Sequence, residues 1–498
     1  MSVLQQAIRH LDLRIRPDPR RVLLRPFLPS VVVKPLAPME PNPRIAHLFS
    51  RVMQLDDATV AHKLDEVFED FRDRHQRIHD LFAQRFQQIR GYLPTGRPLD
   101  EARRLLLGSF FTSEYSLESA ALFNPSIVPA PNQSGVPEGS VRFVLSLRAT
   151  GEGHVSSITF RTGLVDQHGE VILDQPSRFV QEPRPQPAAL YELETFRRKL
   201  VELGVDYDSA SEATAGLPPE FLMSELETSV RALRSRSAKP NLLRAGERAI
   251  LLAKANYTVR FGDNAEISER ILFPFAPSES NGIEDARFVR LEDADGGPLY
   301  VATYTAYDGN VVLPQMVHTR DFQQFSTCTL NGPAIRNKGL ALFPRKIKGH
   351  YAMLGRQDGE NIHLMFSEHL HFWYESSILL RPSEPWEFVQ IGNCGSPLEL
   401  DEGWLVITHG VGPMRKYCLG AALLDKNDPT RVLGRLRQPL IHPNPSEREG
   451  YVPNVVYSCG SIVHRGNLIL PYAVSDSLSR FAVISLRALV DQLHADGP

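Results

Sequence analysis

"LYVATYTAYDG", residues 299 to 309, opens on apolar residues and ends in Tyr307, Asp308 and Gly309. It reads as a short strand that passes from a buried stretch to a polar end and stops in a turn. Four other runs share the design more than the letters: "VRFVLSLRATG" (141–151), "HYAMLGRQDG" (350–359), "GWLVITHGVG" (403–412) and "NLILPYAVSD" (467–476). From Tyr300 to Tyr351, Trp404 and Leu468 the spacings are 51, 53 and 64 residues, which suits one four-stranded propeller blade per repeat. The earlier spacing, from Phe143 to Tyr300, is 157 residues and contains a helical stretch.

In four of the runs a polar residue stands five places after the leading aromatic: Arg148, Thr305, Arg356 and His409. That offset alternates faces, so each polar residue ends its strand rather than extending the buried side. Each run is preceded by a second short strand with a distinctive opening: "FNPSIV", "IEDARFV", "NKGLALFP", "CGSPLEL" and "VPNVVYSCG". Five strand pairs with polar ends imply radial packing around a central pocket. The expected fold is therefore mainly β, a five-bladed β-propeller with an N-terminal helical module and a helical insertion. A two-sheet sandwich is the rival, and it would scatter the polar ends.

Outside the β runs, an extended, proline-punctuated opening leads to residues 44–107, where apolar residues recur at helical spacing among many charges. A second helical stretch falls at about 189–236. These assign residues 1–109 to the N-terminal segment with its helical module, and 110–498 to the β domain carrying the insertion.

The chain has 498 residues, with 55 Lys plus Arg against 58 Asp plus Glu, a formal charge of -3. That balance gives no electrostatic reason to expect nucleic acid or an acidic membrane as partner. Cys328, Cys394, Cys418 and Cys459 are far apart and read as apolar packing residues rather than a metal site or disulfide framework. The first twenty residues lack an apolar signal core, and no apolar run approaches the length of a membrane span, so the expected location is cytoplasmic. "GEGHVSS" and "DADGGP" lack the strand and helix context of a phosphate loop and read as turns.

Acids, bases and cations gather at the openings and ends of the β runs: Glu284, Asp285, Arg287, Lys338, Arg356, His409, Tyr417 and Asp476. By residue type alone, Glu284, Asp285 and Arg287 describe a surface ion-pair cluster, His409 a structural histidine and Lys338 a solvated strand end. In combination the pattern says more. "GIEDARF" (282–288) resembles the G-x-E-D-P-R segment of glycoside hydrolase family 130, the β-mannoside phosphorylases and β-mannosidases, which are five-bladed propellers. "FNPSIV", "YTAYDG", "NKGLALFPRKIKGHYAMLGR", "GWLVITHGV", "YCLGAALLDKNDPTRV" and "EREGYVPNVVYSCG" resemble further family segments in the family's order, from about residue 110 to residue 498.

The resemblance implies that Asp285 is the catalytic acid and that Asn124, Arg148 and His409 line the sugar pocket. It implies Arg356 as a phosphate ligand, with Lys338 near a second cationic phosphate position. Glu284, Arg287, Tyr307, Asp308, Tyr417 and Asp476 complete the expected substrate-binding set. Three departures stand out: Ala286 replaces a proline after the acid, Gln390 stands where a phosphate-binding lysine is expected, and Tyr451 replaces an aspartate in the E-x-x-G-D-V-P-N segment.

The implied reaction is cleavage of a β-mannosidic bond with inversion, by phosphorolysis to mannose 1-phosphate, the proton passing through a hydroxyl of the bound mannose. The implied partners are a β-manno-oligosaccharide and inorganic phosphate, with no other cofactor, no metal, no nucleic acid and no membrane. To act at neutral pH, Asp285 needs a raised pKa, from desolvation or from a neighbouring carboxylate such as Glu284; Arg287 would act the other way. Phosphate entering a closed pocket needs cations, and a guanidinium contacts it with two prongs. An inverting hydrolase would instead need a carboxylate base about 6.5 to 9.5 Å from the acid. Asp308, Glu360 and Asp476 are open for that role, whereas strand alternation turns Glu284 to the opposite face. A non-catalytic carbohydrate- or protein-binding propeller is the other alternative, since fold alone does not fix function. The helical additions either close over the pocket or form a homo-oligomer interface.

Overall fold

The computed structural model describes residues 3–29, 43–93, 96, 98–186, 190–293 and 297–498. The tip of "DADGGP" and much of the proline-punctuated opening lie outside the described residues. The chain forms two units, one of residues 18–119 with 177–180, the other of 1–17, 120–176 and 181–498.

The smaller unit carries helices Pro43–Met53, Asp57–Phe71, Ile78–Ile89 and Glu101–Phe110 and a hairpin of Val22–Pro26 with Thr112–Ser116. Asp56 and Asp100 cap two of the helices by accepting from the backbone N–H groups of Thr59 and Arg103. Phe49, Phe86, Leu106, Leu107 and Phe111 form its core. Arg21 and Glu118 are wholly buried and paired at 2.9 Å, which offsets the cost of removing two charges from water.

The larger unit is mainly β. An eleven-stranded sheet divides into two antiparallel groups, one around Ala121–Pro129, Val141–Thr150 and Ser156–Val165, the other around Gly282–Asp293, Gly297–Tyr307 and Val312–Thr319. A single parallel pairing, Gly282 with Ser156, joins the two groups directly. A four-stranded sheet follows from Ala341–Leu342, Tyr351–Gly355, Ile362–Ser367 and Ser377–Leu380. Two five-stranded sheets come next, built around Trp404–Val411 and around Asn467–Val474.

The last of these sheets includes Ile8–Ile15, paired antiparallel with Leu478–Ser485. Residues 8–15 thus belong to the β unit, a long-range pairing that the local pattern did not signal. The insertion also differs from the expected 189–236. It holds helices Leu193–Glu202, Tyr207–Ala213 and Met223–Arg236 and then a further helix, Pro240–Lys254. Leu242, Ala245, Ala249, Leu252 and Ala253 of that last helix are buried against Phe196, Leu226 and Leu233. Its proline opens the helix, where a missing N–H costs nothing.

Register explains why one end of each sheet is polar. The first residues of each opening strand pair with the last of the next: Ala121 with Thr150, Gly282 with Tyr307, Ala341 with Leu354, Gln390 with Val411, and Val456 with Val474. At this end the backbone repeatedly turns left-handed, at Asn124, Asp285, Asn337 and Asn454 in the openings and at His154, Met414, Arg415, Ser475 and Asp476 in the turns. Asn and Asp tolerate that conformation better than other side-chain-bearing residues, which accounts for their recurrence there.

Candidate active site

Asp285 is displayed by a β-bulge. Glu284 pairs with Thr305 and Arg287 with Thr303, so Asp285 and Ala286 stand opposite one residue, and Asp285 takes φ 54°. The same device recurs at Asn124, φ 50°, between Phe123 paired with Arg148 and Ser126 paired with Ser146. The two bulges meet: Asn124 Nδ2 donates to Asp285 Oδ1 at 2.7 Å.

Arg148 holds both neighbouring acids, with Nη2 to Glu284 Oε1 at 2.8 Å and Nη1 to Asp285 Oδ1 at 3.3 Å. Its Nε donates to Ser156 Oγ at 2.9 Å and its guanidinium lies over the Phe123 ring. The expectation that alternation would turn Glu284 away from Asp285 is therefore overturned. The bulge cancels one step of the alternation and brings both carboxylates to one cation. Lys338 Nζ lies 3.6 Å from Glu284 Oε2.

Two adjoining clefts meet at Asp285, Arg287, Lys338 and Gly339. One continues to Thr303, Thr305 and Pro314; the other to Arg356, Gly392, Asn393, His409 and Tyr457. Arg287 is buried and committed to the protein, donating to the Asn393 carbonyl at 2.9 Å, to the Asn393 side chain and to the Tyr457 hydroxyl. Asn393 in turn donates to the Gly339 carbonyl at 2.7 Å. Arg356 is different, because among the described residues its Nε is buried without a hydrogen-bond partner and its Nη1 meets His409 Nε2, at 3.5 Å.

Because a guanidinium only donates, His409 Nε2 is assigned as the acceptor and Nδ1 as the protonated nitrogen, directed toward Cys394 Sγ at 3.7 Å. Burial, and then the charges of Arg356 and Arg287, hold His409 well below its ordinary pKa, so it is neutral at physiological pH. Its ring stacks on Tyr417 at 5.9 Å and meets Tyr457 edge-on at 4.9 Å. A side chain at Gly392 would strike this ring, 2.3 Å from Cε1, so glycine gives the imidazole its space.

The acids are tuned in opposite directions. Burial alone would raise Asp285, but the charge of Arg148, the Asn124 hydrogen bond and then Lys338 and Arg287 hold it below the ordinary carboxylate value. This corrects the expectation of a raised acid at 285, because the cations outweigh desolvation. Asp476 is the raised carboxyl: burial and the charge of Asp285 push it up to about 6 against Arg148 and Arg415.

Tyr307 and Asp308 are used by their own turn. The Tyr307 hydroxyl donates to the Gly309 carbonyl, and Asp308 accepts from the N–H groups of Asn310 and Val311. Glu360 is exposed and Gln390 begins the strand Gln390–Asn393, and neither lines the two clefts. Sequence reasoning missed Asn393 and Tyr457, although both lie in quoted openings or beside them, because their role depends on contacts with Arg287 across 106 and 170 residues. Cys394, Cys418 and Cys459 are buried free thiols and Cys328 is partly exposed. Among the described residues, no His, Cys, Asp and Glu grouping is placed to hold a metal ion, and no helix is long and apolar enough to cross a membrane.

The family model for glycoside hydrolase family 130, described as β-1,4-mannooligosaccharide phosphorylase, matches residues 251–495. A 1,2-β-oligomannan phosphorylase of Thermoanaerobacter sp. (strain X514) is 34% identical over 217 residues, covering 42% of this chain and 70% of that protein. A β-1,2-mannobiose phosphorylase of Listeria innocua is 31% identical over 238 residues, covering 45% of this chain and 64% of that protein. Among solved structures, a β-1,2-mannobiose phosphorylase from Listeria innocua in complex with β-1,2-mannobiose aligns with a TM-score of 0.45 at 21% identity, over 76% of this chain and 93% of that one.

Proposed function

We propose a function for this chain from the premise that its relatives supply: it belongs to glycoside hydrolase family 130. It is an enzyme that cleaves β-mannosidic linkages by phosphorolysis, with inorganic phosphate as co-substrate and a β-manno-oligosaccharide as substrate. A phosphate oxygen bonds to the anomeric carbon as the glycosidic C–O bond breaks, with inversion. The proton that hydrogenphosphate gives up ends on the departing hydroxyl, so the products are mannose 1-phosphate and the shortened sugar.

One observation carries the choice of phosphate over water. The cleft that holds Asp285 also holds Lys338 and Arg356, and the Arg356 Nε is buried with no partner among the described residues. A buried donor left unpaired is costly, and an anion binding there recovers that cost. Asn124, Arg148, Glu284 and Asp476 hold the mannosyl unit, with Tyr417 and His409 closing its far side, while Arg287 fixes the wall through Asn393 and Tyr457.

Asp285 conducts the proton, by way of a hydroxyl of the bound mannose. Before phosphate binds, Arg148 and the other cations hold it below the ordinary carboxylate range. Phosphate at Lys338 and Arg356 offsets those cations and adds a like charge, and both effects raise Asp285. Proton uptake by the acid is thereby tied to arrival of the nucleophile. The value of about 6 at Asp476 favours a second reading, in which Asp476 is the proton donor, since an acid tuned near working pH is the better donor.

We read the β unit as a five-bladed propeller. The eleven-stranded sheet counts as two blades divided at the Gly282–Ser156 pairing, followed by the four-stranded and the two five-stranded sheets. Bonds between successive groups support the reading. Asn124 reaches Asp285, Thr303 reaches the Leu340 carbonyl, Asn393 reaches Gly339, the Tyr417 N–H reaches Asn454, and the Cys459 N–H returns to Pro125 at 2.8 Å.

The test is incubation with β-1,2- and β-1,4-mannobiose, with and without phosphate. Mannose 1-phosphate formed only with phosphate is the expected result. Free mannose formed regardless of phosphate would make the enzyme a hydrolase, and binding without turnover would leave a carbohydrate-binding module.

A further inference from the structure

We propose that Tyr451 and His154 form the platform that receives the leaving-group sugar and sets which sugar is accepted; this rests on the phosphorylase reading above. Tyr451 is half exposed, yet it is held at both ends. Its hydroxyl and His154 Nδ1 are 2.9 Å apart, and the two rings lie 5.7 Å apart at 33°. Its backbone N–H donates to Ser477 Oγ at 2.8 Å, and the next N–H, of Val452, donates to the Ser475 carbonyl at 3.0 Å.

These bonds fasten the segment to both sides of Asp476. Gly450 makes the approach possible, because a Cβ there would lie 2.4 Å from Ser477 Oγ and 2.5 Å from the Ser475 carbonyl oxygen. His154 is exposed on the turn between Val141–Thr150 and Ser156–Val165, two residues from the Ser156 hydroxyl that receives Arg148. The pair thus bridges the turn that carries Asp476 and the turn beside Arg148.

An aromatic ring fixed at both ends but left half in water contributes little core packing for the order it imposes. It does present a rigid, amphipathic surface, and binding to such a surface costs little further entropy. Pyranose rings carry the complementary chemistry, an apolar C–H face edged by hydroxyls. Inversion places nucleophile and leaving group on opposite sides of the anomeric carbon. Lys338 and Arg356 mark the phosphate side, and Tyr451 and His154 belong instead to the elements bearing Asp476 and Arg148.

The experiment runs the reaction in reverse, with mannose 1-phosphate as donor and mannose as acceptor, for wild type, Tyr451→Ala, Tyr451→Phe and His154→Ala. Tyr451→Ala is expected to raise the acceptor KM about tenfold while moving the donor KM less than about twofold. Tyr451→Phe, which keeps the ring and loses only the His154 bond, should raise it about two- to threefold, and His154→Ala should resemble it. An unchanged acceptor KM in Tyr451→Ala, or equal rises for donor and acceptor accompanied by a lowered Tm, overturns the proposal in favour of a structural staple. Wild type that transfers no mannosyl group in either direction overturns the phosphorylase reading itself, a result visible before any variant is made.

Discussion

Asp285 and Asp476 are two carboxyls on left-handed residues, φ 54° and 49°, and the charge of the first acts on the second. Both are largely withdrawn from water, yet Asp285 is held below the ordinary range and Asp476 is pushed up to about 6. The difference lies in company. The bulge at 285 delivers its side chain to Arg148, Asn124 and the Lys338 side, whereas the turn at 476 has only the charges of Arg148 and Arg415 to oppose its burial. Desolvation acts on both acids, and the count and closeness of cations decide the outcome.

The sharpest way to break this comparison is to neutralise each acid separately. Asp285→Asn should lower kcat/KM for phosphorolysis by about a thousandfold or more, and Asp476→Asn by about ten- to a hundredfold. The reverse ranking would transfer the proton-donor role to Asp476. Circular dichroism spectra should stay near wild type in both variants.

Removing the shared cation sharpens the comparison further. Arg148→Met takes the principal lowering charge from Asp285 and a lowering charge from Asp476, so both pKa values rise. The basic limb of the pH–kcat/KM profile, where the proton donor loses its proton, should move up by about one unit, with a loss of about tenfold or more at neutral pH as Arg148's hold on the acids and the sugar is lost. An unmoved limb would detach Arg148 from the acids' tuning.

Stability gives the third test. Burial and the charge of Asp285 push folded Asp476 up to about 6, above the ordinary 3.8, so between these values the folded chain binds more protons than the unfolded one. Its contribution is therefore present at low pH and is lost as pH rises from about 4 to about 6. Asp476→Asn should remove that decline, gaining about 1 to 2 kcal/mol over wild type between pH 4 and pH 7, as read from denaturant midpoints. Asp285, with its lowered pKa, has the opposite sign.

The smallest effect is expected at Gln390, which lies outside both clefts. Gln390→Lys adds a cation away from the site, so the phosphate KM should change by less than about twofold. A large gain in phosphate affinity would show that the cationic site reaches further than Lys338 and Arg356.

Much of this arrangement was legible in the chain itself. Polar ends after apolar runs marked the right turns, but the left-handed residues in the openings, Asn124 and Asp285 among them, emerged only from the structure. What alternation could not reveal was the bulge, since one extra residue reverses every facing beyond it, and Glu284 was assigned to the wrong side for that reason. Tyr457 and Asn393 escaped because nothing near them in sequence names Arg287 as their partner. The strand Ile8–Ile15 escaped because its partner lies more than 460 residues away.

That last pairing has a bearing on biosynthesis. Residues 8–15 leave the ribosome more than 460 residues ahead of their partner, Leu478–Ser485, so the sheet they share closes only after that distant stretch has been synthesised. Until then an unzipped edge waits on the nascent polypeptide, open to chaperones or to the wrong neighbour, and a product clipped before residue 478 leaves this seam unclosed.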